Sequence, residues 1–96
     1  MTEIHYVYII QCRDHTWYTG YTNNLTKRLE MHTEGKGAKY TRGRGPFQLI
    51  WHEEFTNKTE AMQLEYALKR RSRSKKEEYV RERKGMADAT ANQLSD

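Results

Sequence analysis

Two runs rich in β-branched and aromatic residues, IHYVYIIQ at residues 4–11 and WYTGY at 17–21, are separated only by CRDHT. Such side chains suit a pleated, half-buried surface, and a short polar connection turns the chain back on itself. An antiparallel hairpin is therefore expected at the start of the chain. A third strand candidate, FQLIWHEEF at residues 47–55, follows later. Between them, Asn23 or Asn24 can cap a helix running from Leu25 to about Thr33, which Gly35 stops. Asn57 and Glu60 form a capping-box pattern that opens a second helix through about Arg71. Ser74 and Glu77 repeat it for a shorter third helix over about residues 75–84, closed by Gly85. The order strand, strand, helix, strand, helix, helix (ββαβαα) implies an α+β fold: a small three-stranded antiparallel sheet flanked by helices.

A chain of 96 residues supports one such domain, here placed at residues 1–84, with one modest core. Residues 85–96 hold too little apolar content to pack and are expected to form a disordered tail. The single cysteine, Cys12, excludes an internal disulfide and cannot hold a zinc ion alone, so a reducing cytoplasm is the natural compartment. The run Ile4–Ile10 is far too short to span a bilayer, and no membrane association is expected.

The net charge of +4 is distributed unevenly. Residues 24–45 hold six Lys/Arg against two acids and residues 69–84 hold nine against three, while the remaining segments sum to −6. Two cationic blocks on an otherwise acidic chain favour a polyanion such as nucleic acid. The first block includes EGKGAKYTRGRGP, whose four glycines and Pro46 exclude any long regular element. Its glycines let backbone N–H groups approach phosphates closely, and Lys36, Lys39, Arg42 and Arg44 add charge. This basic loop is expected to contact the nucleic-acid backbone without reading bases. Tyr40 and Trp17 either stack on an unpaired base or fill core space.

The first helix carries an anomaly. At about 100° per residue, with Leu25 at zero, Leu29 falls near 40°, His32 near 340° and Arg28 near 300°. A solvated cation would point away, as Lys27 does, so Arg28 and His32 require a partner or a ligand. On the second helix, Glu65 lies near 40° from Ala61, beside the apolar stripe of Leu64 and Leu68, while Tyr66 and Arg70 point outward. Convergence of these groups with the hairpin tyrosines would form a cleft. A structural ion pair between Arg28 and Glu65 is the competing reading, and His32 could merely satisfy the last carbonyls of its helix.

Tyr6-Val7-Tyr8, then Trp17-Tyr18-Thr19-Gly20, Asn24-Leu25, Arg28, His32 and Glu65, in this order and spacing, resemble the GIY-YIG nuclease domain over about residues 4–80. The runs VYII, WYTG, GKGAKYTRGRGP, EYALK and SRSKK are similar to the small stand-alone bacterial members. The likeness implies metal-dependent hydrolysis of a phosphodiester bond, with DNA favoured over RNA. Tyr8 and Tyr18 would be the two motif tyrosines, Tyr18 a candidate for activating water. Arg28 would hold the scissile phosphate, and His32 would assist proton transfer or position a phosphate oxygen. Glu65 would bind one divalent cation, Mg²⁺ or Mn²⁺. No obligate protein partner is implied. Tyr6 stands where the first triplet has glycine, Thr19 where the second has isoleucine, and Tyr21 where certain repair relatives have lysine. The alternative function is a nucleic-acid-binding module whose site is catalytically silent.

Overall fold

The expected hairpin forms as β1 (His5–Gln11) and β2 (Trp17–Thr22), joined by a turn in which His15 takes a φ of 68°. The computed structural model describes residues 3–83, and the segment expected as a tail, 85–96, lies outside the described residues. β3 (Gln48–Phe55) adds to the other edge of β1, giving the strand order β2-β1-β3 with both pairings antiparallel. Because β1 is central and covered on both faces, Val7, Tyr8, Ile9 and Ile10 are all fully buried. This is why its sequence reads as an unbroken apolar run and does not alternate. The register against β3 shifts between Ile9 and Ile10, where Ile9 faces Trp51 and Ile10 faces Leu49. Ile50 is the extra residue of that bulge.

Successive strand side chains take opposite faces, and each face has its own cover. Val7, Ile9 and Trp51 join Ala61 and Leu68 of α2 (Lys58–Lys69) and Val80 of α3 (73–83) in one apolar cluster. Each fully buried aliphatic side chain there contributes about 1.5–3 kcal/mol. The opposite face carries Tyr8, and the ring above it is His32 of α1 (Leu25–Thr33). His32 is the only fully buried residue of α1.

Local signals place the helix ends. Asn24, and not Asn23, caps α1 by accepting from the Lys27 N–H at 3.2 Å. Gly35, at φ +78°, ends it with Gly35 N–H bonded to His32 O and Lys36 N–H to Met31 O. That is the left-handed stop which glycine accommodates without strain. Asn57 caps α2, accepting from Glu60 N–H at 3.1 Å, and the helix ends at Lys69, earlier than the expected Arg71. The third helix departs further from expectation. Ser72, not Ser74, caps it: the Ser72 hydroxyl accepts from Lys75 N–H at 3.3 Å and its carbonyl from Lys76 N–H at 3.0 Å. Glu77 pairs with Arg73 at 3.5 Å and closes no capping box. The basic loop is irregular apart from a single 3₁₀ turn at Lys39–Thr41.

Candidate active site

Tyr8 sits at the middle of β1, opposite Gly20 of β2, and its hydroxyl lies 2.7 Å from His32 Nε2. His32 Nδ1 lies 2.8 Å from Thr41 Oγ1, which in turn donates to the Ala38 carbonyl at 2.9 Å. A hydroxyl has one proton, and that of Thr41 is committed to Ala38, so Thr41 can only accept from His32. Nδ1 therefore carries the imidazole proton, Nε2 is bare, and the Tyr8 hydroxyl donates to it. This chain ties β1, α1 and the loop together through a buried neutral histidine. Burial, reinforced by the Arg28 charge, lowers the His32 pKa to about 4. Burial first of all pushes the Tyr8 phenol up to about 12; Arg28 opposes the rise, and Tyr18 and Glu65 add to it.

Two glycines make room for these rings. A Cβ on Gly20 would stand 2.5 Å from the Tyr8 hydroxyl, and one on Gly37 would overlap the His32 ring. Gly20 is thus required by close approach rather than by backbone conformation. Gly20→Ala is expected to cost about 2 kcal/mol through overpacking, read as a lower urea midpoint with an unchanged slope.

Tyr18 lies half-buried beside this pair, its ring 5.4 Å from His32, 6.4 Å from Tyr8 and 6.0 Å from Tyr40, which it meets nearly parallel. The Arg28 guanidinium faces the two phenols, Tyr8 foremost and Tyr18 after it, and both hold its proton more firmly than usual. Its Nε is buried with no hydrogen-bond partner among the described residues. The structure thus brings Tyr8, Tyr18, Arg28 and His32 together on the α1 face of the sheet, with Glu65 of α2 approaching them where that helix packs along β2. Glu65 is near enough for its charge to act on Tyr8, and its carboxylate pairs with Lys69, one helical turn on, at 3.2 Å. The competing Arg28–Glu65 ion pair does not form, and His32 spends its ring nitrogens on Tyr8 and Thr41, leaving the helix carbonyls aside. Among the described residues no three His, Cys, Asp or Glu side chains cluster as a metal site.

The loop cations divide. Lys36 pairs with Glu34 at 3.8 Å, and Arg44 with Asp14 at 2.6 Å while its guanidinium carbon sits 4.5 Å over the Tyr40 ring. Lys39 and Arg42 are exposed and make no ion pair among the described residues. Exposed pairs are worth about 0–1 kcal/mol, so a phosphate could exchange for Glu34 at Lys36 at little cost. Sequence reasoning passed over Thr41 and Lys69. Lys69 was within reach of the i, i+4 rule from Glu65, whereas Thr41 had no signal because the path of the loop decides its position.

A family model described as the GIY-YIG catalytic domain matches residues 4–78, which covers every group in this cleft. The chain belongs to the GIY-YIG nuclease family. Within it, the chain is similar to a UPF0213 protein of Oceanobacillus iheyensis, with 62% identity over 76 residues, 79% of this chain and 88% of the relative. It is 49% identical over 88 residues to the UPF0213 protein YazA of Bacillus subtilis, covering 92% of this chain and 89% of the relative. These are small stand-alone relatives of the kind the sequence motifs indicate. Among solved structures, the solution NMR structure of a UPF0213 protein from Bacillus halodurans superposes with a TM-score of 0.56 at 56% identity, covering 80% of this chain and 82% of that one. A protein from E. faecalis, also solved by NMR, gives 0.59 at 40% identity, over 81% and 83%. The ββαβαα GIY-YIG fold is therefore shared with them. No helix among the described residues is long and apolar enough to cross a membrane.

Proposed function

We propose that this GIY-YIG chain is a metal-dependent phosphodiesterase that cuts nucleic acid, DNA ahead of RNA, at the cleft between β2, α1 and α2. The observation that carries this reading is Arg28, whose buried Nε lacks a partner among the described residues while the guanidinium faces Tyr8 and Tyr18. A desolvated guanidinium with an unused donor is stabilised by an anion, and its planar fork matches two phosphate oxygens. Phosphodiester hydrolysis gathers charge on those oxygens in the transition state, so Arg28 would bind it more tightly than the ground state.

The donor set fits a hard divalent cation. Mg²⁺ keeps most of its waters and needs one or two carboxylates besides substrate phosphate, so Glu65 alone suffices, with Lys69 displaced towards solvent. Bound there, Mg²⁺ or Mn²⁺ would supply Lewis-acid polarisation of a phosphate oxygen. Tyr18, half-buried at the cleft, orients the attacking water through its hydroxyl. Tyr8 remains protonated at neutral pH and His32 remains neutral with Nε2 occupied, so this pair fixes the floor of the site and holds α1 in place. Lys36, Lys39, Arg42 and Arg44 hold the flanking backbone through their charges.

The test is cleavage of labelled single- and double-stranded DNA and RNA with and without Mg²⁺ or Mn²⁺, for wild type and Glu65→Ala. Metal-dependent cutting is expected, with the metal concentration for half-maximal rate raised about 10-fold or more in Glu65→Ala. An unchanged metal dependence removes Glu65 from the mechanism. Tight binding without cutting by the wild type would establish a silent binding module instead.

A further inference from the structure

A second cationic pocket lies beyond Tyr18, where the hairpin turn meets the start of α3. Its volume is about 210 Å³, and Thr16, Trp17, Tyr40, Arg73 and Lys76 line it. Sites for drug-sized ligands run to about 300–1,000 Å³, so this one suits a single small group. Its aromatic walls are already engaged. The Arg73 guanidinium carbon lies 4.3 Å over the Trp17 ring, and Tyr40 is stacked on Tyr18 with Arg44 above it at 4.5 Å. A base would have to displace a guanidinium to stack there, whereas an anion meets charge directly.

The charges are also out of balance. Arg73 is fixed by donating to the His15 carbonyl at 2.6 Å and pairing with Glu77 at 3.5 Å. Lys69 is taken by Glu65 at 3.2 Å. The ammonium of Lys76, half-buried near both, makes no ion pair or hydrogen bond among the described residues. Burial first, and then the charges of Lys69 and Arg73, lower its pKa. Burying a cation beside two others is unfavourable until an anion joins them. The pocket adjoins the cleft, because Tyr40 both walls it and stacks on Tyr18, and the Lys69 ammonium lies 5.8 Å over the Tyr18 ring.

We propose that this pocket is a second phosphate seat, holding the backbone phosphate of a nucleotide neighbouring the one that is cut, with Lys76 as its principal cation. The seat rests on the nuclease reading and gives that cleft a two-phosphate footprint. It would position the strand along β2 without reading sequence, as phosphate contacts do.

Each phosphate contact contributes about 0.9 to the slope of log affinity against log salt on duplex DNA and about 0.7 on single strands. The experiment measures metal-free binding of labelled single-stranded and duplex DNA by anisotropy from low to moderate salt. Wild type, Lys76→Met, Lys76→Arg and Lys75→Met are compared. Methionine retains the half-buried aliphatic stem, so the fold should survive, and Lys75 is exposed and pairs with Glu78. Lys76→Met should flatten the slope by roughly one phosphate's worth, with Lys76→Arg retaining it and Lys75→Met close to wild type. In parallel, inorganic phosphate should shift the Trp17 indole N–H signal in NMR spectra of the wild type. An unflattened slope in Lys76→Met, or equal losses in Lys76→Met and Lys75→Met, would overturn the seat while leaving the nuclease reading intact. Absence of binding by the wild type at low salt would remove both.

Discussion

Arg28→Ala should lower kcat for phosphodiester cleavage by about 10²–10³-fold, the usual loss when one preorganised donor to a developing oxyanion is removed. The fold should tolerate the change. Among the described residues Arg28 makes no ion pair and its Nε has no partner, and its charge opposes protonation of the neighbouring His32. A buried donor without a partner carries a desolvation cost of about 1–3 kcal/mol, which offsets the favourable contacts of the guanidinium with Tyr8 and Tyr18, so thermal stability should change little in the alanine variant. Arg28→Lys is expected to recover little activity, because a point charge cannot replace a planar fork on two phosphate oxygens. The decisive measurement is single-turnover cleavage at saturating metal together with a melting curve. A rate within threefold of wild type would take Arg28 out of the chemistry, and a large fall in stability would make it a structural cation.

The second large effect concerns acid. His32 titrates near 4 in the folded chain against an ordinary 6.5. Between those values the unfolded chain accepts a proton that the folded chain refuses, so stability falls as pH drops through that window. Above 6.5 the imidazole is neutral in both states, and below about 4 it is protonated in both, so the loss is confined to the interval. It amounts to about 3 kcal/mol, a large fraction of the 5–15 kcal/mol typical of a folded domain. Urea titrations at pH 7 and 4.5 should show this loss in the wild type. In His32→Gln, stability at pH 7 should be lower but its decline with acid shallower. Parallel declines in the two proteins would mean that carboxylate protonation, and not His32, governs acid sensitivity.

Much of this arrangement was legible in the sequence where periodicity alone decides. Arg28 and His32 stood out as polar groups sharing a face with leucines, and that face does turn inward, His32 being 1% exposed. Asn24 and Asn57 were readable because a cap needs only the local backbone. The start of α3 was not, because Ser72 and Ser74 offer the same hydroxyl and the choice between them depends on where the chain leaves α2. The His32–Thr41 bond was likewise beyond reach, since its partner lies across a loop whose course no periodicity describes. In the sequence Lys69 is only one cation of the second basic block. Its place beside Tyr18 follows from how α2 packs along β2.

The basic loop has one further consequence. Though rich in glycine, it is fastened to the hairpin turn: Arg13 N–H donates to the Arg44 carbonyl at 2.7 Å, Arg13 reaches the Gly43 carbonyl at 3.4 Å, and Arg44 grips Asp14. Ordering a free segment of this length would cost roughly 1–2 kcal/mol for each residue fixed, a cost that weakens binding when it falls at the moment of association. Here the fastenings were made during folding. A polyanion bound as proposed would meet these cations as a preset surface, and the affinity their charges provide would not be offset by freezing the loop.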